Sequence, residues 1–381
     1  MKTTLPFTEE HEMFRAAFRK FVEKEIAPFY KDWYLKDREV PKKLFKKMGE
    51  LGYLCTWADK KYGGSGLDVL YQVIMTQETA RRGFGCVGQW LHSDIVGPYV
   101  EHYGSEEIKD KYLPQMITGD KLICVAMTEP EVGSDLASIK TTAIKDGDHY
   151  ILNGEKTFIT NGMISDICIV ACLTNPELGR KGISLLLVEM DSPGFTRTRL
   201  NKIGFHGQDT AELHFTDVSV PVGNLLGEEG KGLNYLMSRL QPERMFAAQL
   251  AQGQAERALE SAVDYAKQRP MFGKHLSDLQ YTQFLLADMA TEVTIGRVFA
   301  DAVVLAVMNG ENVAAEVSMA KYYCTEMAFR VSDKALQIHG GHGYCYEDYD
   351  IGRVFMDTRV QRISAGTSEV MKLLVARSLG V

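Results

Sequence analysis

No run of about 18 apolar residues occurs in the 381-residue sequence, so no segment is predicted to cross a bilayer as a helix. The opening stretch, KTTLPFTEEHEMF, lacks a basic region followed by an apolar core and is not read as a secretory signal. Excess positive charge is missing too. The formal net charge of −7 argues against nucleic acid or an anionic membrane as partner, while leaving room for a local patch that binds a phosphate-bearing ligand. The 7 cysteines form no CxxC pair and no paired zinc knuckle, and their number is odd. They read as small buried hydrophobes in a reducing compartment, and a cytoplasmic location is expected. GxSxG, HExxH and GxGxxG are all absent. GEEGKG at 227–232 has a Gly-Lys pair but neither the spacing nor the Ser/Thr of a P-loop, and no strand is expected to lead into it. His339 and His342 stand in a glycine turn with no third ligand nearby, so no metal site is expected.

What the chain does have is length enough for two or three domains, and a change of period along it. The first part reads as helices. Thr8 followed by Glu9 and Glu10 is a helix start, and Met13, Phe14, Phe18, Phe21, Val22 and Ile26 form one apolar stripe. Gly104 and Ser105 end one helix and open the next. From about residue 122 to about 220 short β-rich runs alternate with Gly, Asn, Asp and Pro: HYILNGEKTFITNG, ISDICIVACL, GISLLLVEM and AELHFTDVSV. From about residue 232 long helical patterns return, the last starting at Ser368. The expectation is an α+β multidomain chain: an N-terminal α-helical domain over 1–120, a central β-domain over 121–231 and a C-terminal helical domain over 232–381.

Five stretches look unlike generic core. MTEPEVGSD (127–135) is a polar turn rich in backbone donors and hydroxyls, able to cradle a phosphate or a heteroaromatic edge. FITNG (158–162) sets an aromatic, a hydroxyl and an amide at a strand end. QRPMFGK (268–274) ends a helix, and QIHGGHGY (337–344) and RISAGTSEV (362–370) follow. Taken singly each is a common kind of turn.

In this order, over a helix–β–helix plan, they resemble the acyl-CoA dehydrogenase family along nearly the whole chain. The resemblance implies a C-terminal four-helix bundle, a homotetramer, non-covalent FAD, an acyl-CoA substrate and an electron-transfer flavoprotein as electron acceptor. It implies that Val125, Met127 and Thr128 hold the pyrimidine end of the flavin, that Ser134 reaches a phosphate of FAD or CoA, that Phe158 lies against the ring and that Thr160 bonds N5. It implies that Arg269, Phe272 and Gln280, with Gln337 and Gly341, serve the FAD of a neighbouring subunit, and that Thr367 and Glu369 meet the cofactor at a helix start. Ser134, Gln241, Arg244 and Gly366 fall at substrate-binding positions.

One departure needs an answer. Where many relatives carry a glutamate base, this chain has Ala365. The resemblance implies that the backbone N–H at this position donates to the thioester oxygen, and a donor of that kind survives any side-chain change. The candidate for the carboxylate is Glu243 in SRLQPERMFAAQL, an acid sharing its helix face with Leu236, Leu240, Ala247 and Leu250, where desolvation would raise its pKa. Gln-Pro-Glu243-Arg244 paired with Ala365-Gly366-Thr367 resembles the isovaleryl-CoA and long-chain branch. Gln89, Trp90, His92 and Asp94 fall where the resemblance implies the border of the acyl cavity, with Asp94 open either as a second acid for a cyclic substrate or as a helix residue bonded to its neighbours. Glu243→Gly with Ala365→Glu is expected to recover part, and not all, of the flavin-reduction rate lost in Glu243→Gly alone. A double variant no faster than the single one on straight, branched and cyclic acyl-CoAs, with folding and FAD content intact, refutes the two positions as alternative base sites.

Overall fold

Local chemistry sets the helix starts where the sequence places them. In the computed structural model, which describes residues 3–381, helix α1 (Glu9–Phe21) opens with Thr8 Oγ1 accepting from the His11 N–H, while His11 Nδ1 accepts from the Thr8 N–H at 3.1 Å. Phe18, Phe21, Val22 and Ile26 are buried, the last two in a π-helical turn. Met13 departs from the expected stripe and is 67% exposed, because it lies one position, about 100° around the helix, from Phe14. Helices α2 (Ala27–Asp32), α3 (Lys42–Glu50), α4 (Val69–Ala80) and α5 (Gly97–Tyr103) follow. Ser105 Oγ then caps α6 (Glu106–Ile117) through the Ile108 N–H at 3.3 Å.

An eight-stranded sheet comes next: β1 (Ile123–Ala126), β2 (Thr142–Asp146), β3 (His149–Thr160), β4 (Ile167–Leu173), β5 (Ile183–Glu189), β6 (Phe195–Arg199), β7 (Thr210–Pro221) and β8 (Leu225–Leu226). The order is β6-β7-β3-β2-β4-β5-β8, with β1 parallel to β4. β3 shifts register against β7 between Lys156 and Ile159, and at this bulge Phe158 takes φ 58°. A bulge re-aims a side chain, and Phe158 is 67% exposed. Contrary to expectation a strand does precede GEEGKG. β8 pairs two residues with Leu185 and Leu186, too few to leave a period in the sequence.

The last part is helical: α7 (Gly232–Gln268), α8 (Gln280–Met308), α9 (Ala314–His339), α10 (Gly341–Tyr344), α11 (Asp350–Gln361) and α12 (Ser368–Ser378). Ala251, Ala255, Ala258 and Ala262 repeat every three or four residues along α7 and share one core with Ala320, Ala328 and Ala335 of α9, so the two backbones approach closely. Between α7 and α8, QRPMFGK forms more than a helix end. Pro270–Met271 pairs with Lys274–His275, and Phe272 (φ 49°) and Gly273 (φ 77°) make the hairpin turn. Six cysteines are buried as expected, and Cys345, in the turn after α10, is exposed. Among the described residues no helix is long and apolar enough to cross a membrane.

One carboxylate ties the N-terminal helices, the sheet region and the bundle together. Asp357 on α11 is buried and accepts from the Tyr34 hydroxyl at 2.7 Å and the Phe205 N–H at 2.5 Å, while the Cys86 thiol lies 3.7 Å from its other oxygen. Asp357→Ala strands two buried donors and is expected to cost about 2–4 kcal/mol of stability. Thermal unfolding checks it: the midpoint falls by several degrees in Asp357→Ala and by less in Asp357→Asn. Equal midpoints in wild type and Asp357→Ala would contradict the tie.

Candidate active site

Pro242 inside α7 cannot donate to the Ser238 carbonyl, so the helix ladder is broken one residue before Glu243. Around that break Leu236, Leu240 and Leu250 are buried, and Ala247 is half-buried. Glu243 Oε2 is buried and has no hydrogen-bond partner among the described residues. Burial pushes the Glu243 carboxyl up to about 7, against the opposing pull of the Arg244 and Lys321 charges. Facing this segment is the turn that begins RISAGTSEV. Ala365 (φ 56°) and Gly366 (φ 93°) are both left-handed. A Cβ on Gly366 would lie 2.6 Å from Met371 Cε, a flexible side-chain end, and 3.8 Å from Arg244 Nη2, so it is the left-handed φ that calls for glycine here. The Ala365 N–H has no acceptor among the described residues. Thr367 caps α12, its hydroxyl accepting from the Val370 N–H at 3.3 Å, with Glu369 exposed in the first turn. Gln241 is half-buried and Arg244 buried on the same stretch of α7. Arg244, which follows Glu243 on α7, is thus brought against Gly366 from a distant part of the sequence.

A second group surrounds the π-helical turn Leu91–Val96. Both carboxylate oxygens of Asp94, both amide atoms of Gln89, Trp90 Nε1 and the Tyr99 hydroxyl are buried without partners among the described residues. Burial holds the Asp94 carboxyl well above the usual carboxylate range. Asp94 is therefore not bonded to its helix neighbours. His92 differs: its Nδ1 accepts from the Ile123 N–H at 3.2 Å and its Nε2 donates to the Met116 carbonyl at 3.0 Å. Burial lowers its pKa to about 4, and it serves as a neutral tie between α6 and β1. Tyr99 on α5 senses the Glu243 charge, which adds to burial in raising its pKa.

The remaining expected residues form two more groups. Val125, Met127, Thr128, Phe158 and Thr160 stand on β1, its following turn and the end of β3, with Ser134 exposed beyond them. A buried ion pair joins these segments: Lys156 Nζ reaches Glu129 Oε1 at 2.8 Å and the Met127 carbonyl at 3.1 Å, while Glu129 also accepts from the Lys140 and Thr141 N–H groups. At the other end of α7, Arg269, Gln337 and Gly341 line one cavity of about 460 Å³ with Met271, Tyr281 and His339. Phe272, at the adjoining hairpin tip, is 91% exposed, and Gln280 is exposed at the first turn of α8. His342 bonds the Tyr265 hydroxyl at 2.9 Å, and His339 bonds the Ala335 carbonyl at 2.7 Å.

Sequence reasoning missed Lys156, Tyr99 and Lys321. The signal for Lys321 was present: a lysine on the face of α9 that also carries Val317, Ala320 and Cys324, all buried.

Three family models match the chain in order: the acyl-CoA dehydrogenase N-terminal domain over residues 8–120, the middle domain over 124–218 and the C-terminal domain over 230–380. The long-chain specific mitochondrial acyl-CoA dehydrogenase of Sus scrofa is 43% identical over 376 residues, covering 98% of this chain and 87% of that protein. The caffeyl-CoA reductase-Etf complex subunit CarC of Acetobacterium woodii is 37% identical, covering 98% of this chain and 99% of that protein. The crystal structure of an acyl-CoA dehydrogenase from Geobacillus kaustophilus superposes with a TM-score of 0.97 at 52% identity, covering 100% of both chains.

Proposed function

The chain belongs to the acyl-CoA dehydrogenase family, and from that premise we propose that it is an FAD-dependent enzyme that converts acyl-CoA thioesters to enoyl-CoA with Glu243 as base. The observation that carries this reading is the buried, unpartnered Glu243 Oε2, next along α7 to Arg244, whose guanidinium lies against Gly366. The Cα proton next to a thioester is too weakly acidic to leave unaided. Glu243 takes it, and the Ala365 N–H donates to the thioester oxygen as enolate charge develops. A base with its pKa near 7 is matched to work at neutral pH. Arg244, next to both the base and the turn, limits how far burial raises that pKa. Gln241, Ser134 and Gly366 complete the substrate contacts.

The residues present fit FAD. Phe158, turned outward by the β3 bulge, offers an aromatic face one turn of strand from Thr160. The Lys156–Glu129 pair fixes the Met127–Thr128 backbone and with it the Val125–Thr128 edge. Bound there, FAD would supply the acceptor for the β-hydrogen leaving as hydride. Arg269 follows α7 directly, 26 residues and roughly 40 Å along the axis from Glu243. One dinucleotide does not reach both, which supports Arg269, Phe272, Gln280, Gln337 and Gly341 serving the FAD of a second copy in a homotetramer. Thr367 and Glu369 stand at the start of α12, suited to the cofactor's polar atoms. The Etf-linked relative supports an electron-transfer flavoprotein as acceptor of the two electrons.

The acyl tail is a long chain in this reading, as the long-chain relative suggests. A specific observation favours a second reading, a cyclic acyl-CoA: Asp94, buried with both oxygens free among the described residues, is able to act as an additional acid or base. Anaerobic titration with straight, branched and cyclic acyl-CoAs, followed by flavin absorbance, separates the two.

Glu243→Gln is expected to keep FAD and acyl-CoA binding and to slow flavin reduction by ~10²–10⁴. In the wild type the rate should fall as pH drops through about 7, since protonated Glu243 no longer accepts a proton. Near-normal reduction by Glu243→Gln would move the role elsewhere, with Asp94 next. Arg269→Ala is expected to weaken FAD retention and oligomer stability together. A stable monomer retaining FAD at wild-type affinity refutes the shared site.

A further inference from the structure

The Ala365–Gly366 turn is strained at a non-glycine position. Alanine in the left-handed region is disfavoured and persists where its surroundings over-determine it. Several bonds anchor the flanks: Ser364 N–H to the Val360 carbonyl and Ser368 N–H to the Arg362 carbonyl, both at 3.0 Å, and the Ser368 hydroxyl to Glu326 at 2.6 Å. None of these reaches residues 365 or 366. The bond that does comes from Lys321 on α9, whose Nζ donates to the Gly366 carbonyl at 2.6 Å. Lys321 is fully buried. A neutral donor would hold a carbonyl with less desolvation, so its charge calls for a reason of its own.

That reason is its surroundings. The charged groups facing Lys321 are Arg244 and Glu243 on α7, Glu326 on α9 and Glu369 on α12. Those facing Glu243 are Arg244, Lys321 and, across from α5, the Tyr99 hydroxyl. We propose that Lys321 is the positioning residue of the reaction: its ammonium clamps the Gly366 carbonyl so that the Ala365 N–H is aimed at the thioester oxygen, and its charge keeps Glu243 available as a carboxylate. This rests on the reading of Glu243 as base. Burial lowers Lys321 to about 8, so it is still charged where Glu243 titrates. Removing that positive charge raises the pKa of Glu243, because an opposite charge nearby favours the ionised form.

The test uses the FAD-loaded oligomer with octanoyl-CoA for anaerobic flavin reduction and 2-octenoyl-CoA, the unreactive product, for calorimetric binding. Lys321→Met is expected to slow reduction about 10–100-fold, part of what losing an oxyanion donor costs. It should also shift the acid limb of the pH–rate profile to higher pH and weaken 2-octenoyl-CoA binding several-fold. Lys321→Arg, keeping charge and donor, should restore most of each. Lys321→Gln, keeping a donor without charge, should bind product nearly normally yet retain the shifted limb. A Lys321→Met enzyme that loses thermal stability while its acid limb stays in place overturns the proposal, as does one with a wild-type rate. If Lys321→Met does not assemble, an unshifted limb in Lys321→Gln overturns it equally. Glu243→Gln, measured alongside, separates the failures: near-normal reduction there refutes Glu243 as base, whereas its inactivity beside an unaffected Lys321 series refutes Lys321 alone.

Discussion

Three bodies of secondary structure meet at the Asp357 carboxylate, and the geometry of the site depends on that meeting. Tyr34 reaches it from the N-terminal helices and Phe205 from the loop before β7. Asp357 itself sits on α11, which runs straight into the Arg362–Gly366 turn. The placement of the Ala365 N–H is therefore set partly by contacts made on the far side of α11. Buried donors aimed at one acceptor leave little freedom for rigid-body drift, because any displacement strands a polar group. The Lys156–Glu129 pair plays the same part for the other wall, joining the turn after β1 to the end of β3.

Within this frame the site is built from what is left unpaired. Most buried polar groups in folded proteins find partners. Here Glu243, Asp94, Gln89, Trp90 and Tyr99 each hold an atom that does not, among the described residues. Such a concentration is costly to fold around and is understandable where a ligand with its own polar atoms is to be received. His92, with both ring nitrogens engaged, marks the contrast with these unpaired groups.

Much of this was legible in the residues. The helix–β–helix order followed from period, and the starts at Thr8 and Ser105 from capping chemistry. Glu243 was legible as an acid on an apolar face of a helix, and its raised pKa follows from burial. β8 and α11 were not. A two-residue strand has no period, and DIGRVFMDTRVQ mixes apolar and charged residues too evenly for a short helix to stand out. Met13 misled because it sits about 100° around the helix from Phe14, toward the exposed side of α1. Lys321 and Lys156 were overlooked because a lysine is by default a surface residue. Their roles depend on partners 45 and 27 positions away, information that no local window holds.

Helix α7 places Glu243 near one end and delivers Arg269 and the Phe272 hairpin at the other, with no loop between them. This imposes a constraint on how such a chain can change over time. Inserting or deleting one residue between these points would turn one end about 100° against the other. The alanine seam against α9 would be thrown out of register at the same step. Substitutions along α7 can accumulate one by one, whereas changes of length are confined to the surface turns. The residue count between Glu243 and the hairpin should therefore stay fixed through descent even where the side chains between them drift.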